Sequence, residues 1–296
     1  MRVGFAYLAM VLIWSTVPLA LKWSVVGYGF LFAAGARVSI ALICMLPVML
    51  LLQRQGLPLN RPAICTYCVS ALNFLAAALL YWGAQFVPSG WLGVTFGTMP
   101  FITAVMAAIW LGERSLTPLK LSGLVIGFCG VLIVFITASE VGEDAFFGLL
   151  AAVGAVTIAA AVPIAIRRIG APLSGFEITV GGLGIAMPIY LTVWLVIDGQ
   201  WPSEISTRAT WTLLYIGVVG TAVVFTLFYY TLRHLSVTQV SLIGMVTPIL
   251  ALFIGVVINN EQISPRIWLG TALIIVALVL HEYLPRRKLA LKGPRA

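Results

Sequence analysis

Residues 99–114 read MPFITAVMAAIWLGER and residues 247–262 read TPILALFIGVVINNEQ. Proline recurs at Pro100 and Pro248 and glutamate at Glu113 and Glu261, each pair 148 residues apart, which is half of the 296-residue chain. The apolar run between proline and glutamate persists while its individual residues change. A hydrophobic block repeated at half the chain length marks an internal duplication, and many membrane transporters are built from duplicated apolar halves.

Composition agrees with that reading. Hydrophobic residues make up 61% of the chain, charged residues 9%, and mean hydropathy is +1.10. A soluble domain carries about 25% charged residues, so most of this surface faces lipid or other helices. The net charge of +8 sits between apolar runs and at the C-terminus, not on one basic face. It therefore reads as a topology signal and not as a nucleic-acid surface. Cys44, Cys65, Cys68 and Cys129 all lie in apolar segments and read as packing thiols, since no strand–helix context supports a redox role for the Cys65/Cys68 pair. The first 22 residues have the charge and length of a secretory leader. Their Gly4…Pro18 pattern recurs as Gly148…Pro163, so they read as a retained helix.

A crossing needs about 20 mainly apolar residues. Ten segments qualify: 4–22, 30–52, 63–85, 88–111, 118–138, 146–167, 174–197, 209–232, 236–258 and 266–284. The uncharged stretch from Arg61 to Glu113 is too long for one crossing, and residues 85–90 divide it at Pro88 and Gly90. Thirteen of the 17 basic residues fall on the side that holds both termini, against Lys22, Arg208 and Arg266 on the other. By the positive-inside rule both termini are cytoplasmic. The expected fold is an all-α integral membrane protein of ten transmembrane helices, with repeats at 3–138 and 145–284 and a basic cytoplasmic tail at 285–296. Five crossings per repeat is an odd number, so the second repeat is inverted. Mid-span prolines pair between the halves, Pro18 with Pro163, Pro47 with Pro188 and Pro100 with Pro248, which predicts matched bends.

These residues resemble the EamA family of the drug/metabolite transporter superfamily. The resemblance is carried by Trp14-Ser15-Thr16-Val17-Pro18, Arg37, Pro100, Leu111-Gly112-Glu113-Arg114 with Thr117-Pro118, and Gly123, Gly127 and Gly130. The second half keeps Pro248, Glu261, Ser264-Pro265 and Gly270, has Asn260 in place of Gly112, and has no match for Trp14. The likeness spans nearly the whole chain and rests on the order and spacing of short motifs. It implies ten helices, no cofactor and the export of small metabolites, amino acids among them. Within the family, the aromatic amino acid exporters of the YddG type are the group it is most similar to.

Candidate cargo-binding residues follow from polar or aromatic character at mid-span. Trp14 sits beside a Ser-Thr-x-Pro bend, either lining a cavity or packing in a core. Trp91, Thr95 and Thr98 share a helix face next to Met99; Asn73 and Leu80 share another, beside Tyr81. Tyr229, Ser241 and Met245 complete the set. Small and hydroxyl residues equally suit plain helix packing. Arg37, about 10 Å inside its crossing at 1.5 Å per residue, either snorkels and caps carbonyls or anchors a cargo carboxylate. Glu177 sits where a cytoplasmic helix N-terminus favours negative charge. Pro18, Pro100, Pro163 and Pro248 are expected to shape or gate the path.

A cationic drug calls for a buried carboxylate and a phosphorylated sugar for several Lys or Arg. The spans supply neither set, so a small neutral or zwitterionic molecule with an apolar side chain fits best. Amino acids, aromatic or otherwise apolar, exported by alternating access through a central cavity are the expected cargo. The alternatives are an efflux pump for other amphipathic compounds and an intramembrane enzyme. For the enzyme, no paired acids, Ser/His pair or metal-ligand spacing appears within the spans. The acid shortage favours facilitated transport over a proton step at Glu177. The expected setting is a bacterial inner membrane, with lipid and a small-molecule substrate as partners, no metal and no nucleic acid. A monomer is expected, with a weak homodimer as the alternative.

Overall fold

In lipid every backbone N–H and C=O must be satisfied within its own segment, so apolar runs of this length become helices. The structure, a computed structural model, describes residues 3–52, 56–110, 118–202, 206–236, 239–240 and 243–280. The helices are α1 (Val3–Tyr28), α2 (Phe30–Leu52), α3 (Arg61–Gly83), α4 (Ser89–Phe96), α5 (Met99–Trp110), α6 (Pro118–Val141), α7 (Glu143–Ile169) and α8 (Gly175–Ile197). Then follow α9 (Thr207–Gly217), a π-helical segment (Val218–Val223), α10 (Val224–His234), α11 (Ile243–Asn259) and α12 (Pro265–Leu278). No strand occurs among the described residues.

Among the described residues, seven helical segments are long and apolar enough to cross a membrane, α4–α5 and α9–α10 each counting as one. Three shorter apolar helices, Val125–Val141, Val246–Asn259 and Pro265–Leu278, accompany them. The outer surface is itself apolar: Leu51, Ile109, Val196 and Ile197 are largely exposed. That is the surface a bilayer covers. The 285–296 tail and the Glu113 block lie outside the described residues.

Polar groups at the helix starts do the capping. Asn60 Oδ1 accepts from the Ala63 N–H at 3.0 Å ahead of α3. Ser174 and Glu177 exchange side-chain-to-backbone hydrogen bonds of 3.1 and 2.6 Å at the start of α8, a complete capping box. Besides a π-helical turn at 279–280, two stretches among the described residues depart from uniform α-helix. The crossing expected at 88–111 is two helices, α4 and α5, because Gly97 and Thr98 interrupt the regular ladder ahead of Pro100. The Thr95 and Thr98 hydroxyls donate back to the Leu92 and Thr95 carbonyls at 2.7 and 2.6 Å and so satisfy acceptors near the break. The π-helical segment is the second departure, and no residue of Val218–Val223 marks it in the sequence.

The helices pair across the two halves of the chain. α3 lies along α7 and α8, α6 along α12, α4 along α11, and α2 along α8. α1 runs beside α9, α10 and α11, while α7 also meets α4 and α5. Two seams depend on glycine. At Gly93 a Cβ would run into the Ala251 Cβ of α11. Where α6 crosses α12, a Cβ on Gly130 would meet the Gly270 carbonyl at 2.6 Å, and one on Gly270 the Gly130 carbonyl at 2.8 Å. Small residues let the backbones approach this closely, and in lipid such packing substitutes for a hydrophobic driving force.

Candidate functional site: a central cavity

Between α1, α3, α4–α5, α7, α10 and α11 lies a cavity of about 1050 Å³, counting the space at its mouth. Both halves of the chain form its wall. One side is aromatic: Trp14 meets Phe225 edge-on at 6.0 Å between ring centroids and Phe228 at 5.4 Å. Phe225 in turn packs on Phe74 at 4.8 Å. Pro18, Leu80, Phe96 and Met99 continue the wall, and Ala155 and Ala159 of α7 leave room opposite.

A small polar group backs this surface. Tyr229 is fully buried, and its hydroxyl accepts from Ser70 Oγ at 3.0 Å and from Asn73 Nδ2 at 3.1 Å. Asn73 reaches the wall itself. Its amide is thereby held in one orientation, with its carbonyl oxygen left for another donor.

Arg37 is the one charged residue among the described wall residues. It is only 5% exposed. Its Nε donates to Thr221 Oγ1 at 2.6 Å and its Nη2 to the Gly220 carbonyl at 3.3 Å. Both partners belong to the π-helical segment, where Thr221 Oγ1 also donates to the Ile216 carbonyl five residues back, at 2.8 Å. The widened turn is thus satisfied by one hydroxyl and turned towards the guanidinium.

At one end of the bundle a second polar cluster joins the halves. The Glu261 carboxylate accepts from the Ser89 N–H (3.0 Å), Ser89 Oγ (2.7 Å), the Gly90 N–H (3.1 Å) and Asn259 Nδ2 (2.9 Å). Trp23 Nε1 donates to Asn259 Oδ1 at 2.8 Å, and Lys22 Nζ to the Val87 carbonyl at 2.6 Å. A glutamate from the second half therefore caps the N-terminus of α4 in the first, where the helix dipole favours its charge. Burial alone pushes the Glu261 carboxyl up. Its donors, Ser89 and Asn259 first and then the backbone of Gly90 and Ser89, outweigh that and hold it below the ordinary carboxylate value.

The remaining candidates sit elsewhere. Tyr81 and Trp91 are buried behind the wall. Thr95 and Thr98 line a separate narrow crevice against Val134 and Ile274. Pro100 and Pro248 are buried in the seam between α4–α5 and α11: Gly244 faces Pro100 and Gly97 faces Pro248. Pro163 is buried in α7. Glu177 is occupied in its capping box, away from the cavity. Ser241 and the Met245 side chain lie outside the described residues. Sequence reasoning passed over Phe225 and Phe228, although the spacing of Phe225, Phe228 and Tyr229 along α10 puts all three on adjoining faces of one helix. That spacing was the available signal.

Comparison with known proteins converges on one description. The chain is 27% identical to the uncharacterized transporter YoaV of Bacillus subtilis, over 97% of this chain and 99% of that protein. It is 23% identical to the uncharacterized inner membrane transporter YedA of Escherichia coli K12, over 93% and 89% respectively. It is 24% identical to a probable terminal-alkyne amino-acid exporter of Streptantibioticus cattleyicolor, over 96% and 95%. One crystal structure shares the fold with a TM-score of 0.69 at 19% identity, covering 96% of this chain and 98% of its own. The EamA-like transporter family model matches twice, over residues 2–136 and 146–281, so this multi-pass membrane chain belongs to the EamA-like transporter family.

Proposed function

We propose that the protein exports small neutral or zwitterionic metabolites, foremost amino acids with aromatic or other apolar side chains, by alternating access through the central cavity. The observation that carries this is the wall itself: Trp14, Phe225 and Phe228 stack against one another, Asn73 is fixed by Tyr229, and one cation stands among apolar neighbours. Such a surface takes an apolar side chain by stacking and orients it with few hydrogen bonds. The named amino-acid exporter among the relatives supports the same class.

The mechanism follows from how the halves pair. The reading is ten crossings in two inverted five-helix repeats, in an inner membrane with both termini cytoplasmic. The packing supports it, because the most extensive contacts between the halves have counterparts with the halves exchanged. α3 on α7 answers α1 on α9–α10, α1 on α11 answers α7 on α4–α5, and α3 on α8 answers α2 on α9. In that topology the Glu261 cluster faces outward. The described carboxylates stand at helix ends or in connections, Glu177 among them, so transport runs down the cargo gradient without a proton relay.

Liposomes reconstituted with the protein and loaded with labelled phenylalanine, leucine and glutamate test the reading. Efflux of phenylalanine and leucine over glutamate, unchanged by an imposed pH gradient, is expected. No efflux of any amino acid would remove the export function.

A further inference from the structure

Burying a cation in a membrane span is costly, and such groups persist when something in the protein or its cargo compensates them. Arg37 has no carboxylate to do so. The described acidic residues, Glu140, Glu143, Asp144, Glu177, Asp198 and Glu261, all stand at helix ends or in connections. The π-helical segment engages one edge of the guanidinium through Thr221 and Gly220. A guanidinium carries five N–H donors in a planar fork, so donors remain for a further acceptor beside Thr221 and Gly220. The fully buried Tyr81 side chain of α3 lies within hydrogen-bonding reach of the same guanidinium.

Position along the helices sets the rest. Arg37 is in the third turn of α2, in the half of the cavity nearer the Glu261 cluster, with Leu21 of α1 and Leu92 of α4 beside it. Phe228, Val240 and Ile243 belong to the opposite half, and Trp14 stands at mid-span. The cavity is therefore asymmetric, with its one described cation entering from the Glu261 half and its aromatic wall running from mid-span into the other half.

We propose that Arg37, oriented by the π-helical segment, is a carboxylate subsite, and that the cargo is an apolar molecule recognised by its carboxylate and not by an ammonium group. This rests on the export reading and extends it to anionic cargo. An amino acid docks through its carboxylate against Arg37 with its side chain on Trp14, Phe225 and Phe228. The α-ammonium meets no wall carboxylate, so a simple carboxylate with the same side chain is an equal cargo. A fixed guanidinium suits this task because it binds a planar carboxylate through two parallel hydrogen bonds, and low surrounding polarity strengthens them.

The test sets phenylalanine, hydrocinnamate and hydrocinnamamide side by side. Two readouts are used: competition for phenylalanine efflux from liposomes, and the melting-temperature shift of the protein in lipid nanodiscs. The two acids are expected to compete and stabilise alike, with the amide roughly 10- to 100-fold weaker. Arg37→Gln brings both acids down to the level of the amide, while Arg37→Lys keeps a reduced acid preference. Should Arg37→Gln fail to fold, Thr221→Val serves instead: it releases one edge of the guanidinium and narrows the ratio of acid to amide without weakening amide binding. Equal action of acid and amide on the wild type overturns the subsite and leaves export standing. An acid-selective melting shift without any efflux overturns export and leaves the subsite. An acid preference that survives Arg37→Gln also overturns the subsite.

Discussion

At the scale of single residues, Trp14 carries the sharpest expectation. Its indole packs on Phe225 and Phe228 and fronts the cavity. An aromatic pair is worth about 0.5–1.5 kcal/mol beyond the area it buries. Trp14→Ala should therefore lower the efflux rate roughly two- to twelvefold, with expression and chromatographic behaviour unchanged; wild-type efflux would take Trp14 out of cargo contact. Phe228→Ala should act in the same direction. The wall positions of Trp14, Asn73 and Met99 were legible in the sequence because each lies near mid-span beside a polar or bent stretch, and that of Leu80 because it shares a helix face with Asn73. Those of Phe225 and Phe228 were not singled out, since phenylalanine is ordinary in a membrane helix and only its neighbours give it a direction. Thr95 and Thr98 show the converse. Their shared face was legible, yet their hydroxyls turn to the carbonyls of their own helix and their side of α4 meets Val134 and Ile274. Helical periodicity tells which residues share a face, not which neighbour that face meets.

At the scale of elements, the junction at Glu261 makes a pH-dependent contribution whose sign is fixed by its donors. The folded carboxyl lies below its ordinary value of 4.5, burial being outweighed by Ser89, Asn259 and Gly90. A depressed carboxylate stabilises the fold fully above its unfolded value, and that stabilisation is lost as pH falls through the lower, folded one. The melting temperature in nanodiscs should therefore hold above pH 4.5 and drop below it, with the drop blunted in Glu261→Gln. That variant should itself be destabilised near neutrality by about 1–2 kcal/mol, allowing for screening on the solvent-facing side of the group. An unchanged acid limb would show that another carboxylate dominates. The seam beside it makes a steric prediction. Gly93→Val must push α4 away from Ala251, and should lower the melting temperature and slow efflux together, whereas Gly184→Ala, with open space around its Cα, should change neither. The apolar runs that become helices were readable from hydropathy alone, as was the break at Pro88. The π-helical segment was not, because Val-Val-Gly-Thr-Ala-Val fits an α-helix equally well. In its widened turn Thr221 answers Ile216 within the helix and Arg37 from across the bundle, and the second partner lies 184 residues away in the sequence.

At the scale of the whole molecule, the repeat of Pro100…Glu113 at Pro248…Glu261 becomes a statement about motion. Pro100 and Pro248 face glycines of the opposite half across one seam, and Glu261 caps a helix of the half to which it does not belong. A contact of that kind closes one end of the bundle by tying α4 to the segment between α11 and α12. Opening that end for cargo means withdrawing Glu261 from Ser89 and Gly90, since their three donors belong to the other half and cannot follow it. The proposed rocking of the halves therefore predicts that a covalent tie at this point stops transport. With Cys44, Cys65, Cys68 and Cys129 replaced by serine, paired cysteines at Ser89 and Glu261 should accept a short thiol-reactive cross-linker. Efflux from liposomes should fall to background on cross-linking and recover after reductive cleavage of the linker. Each single cysteine variant, treated identically, should transport at its own untreated rate. Efflux that continues through the cross-linked protein would mean that the cargo path bypasses the Glu261 junction and that this end of the bundle is no gate.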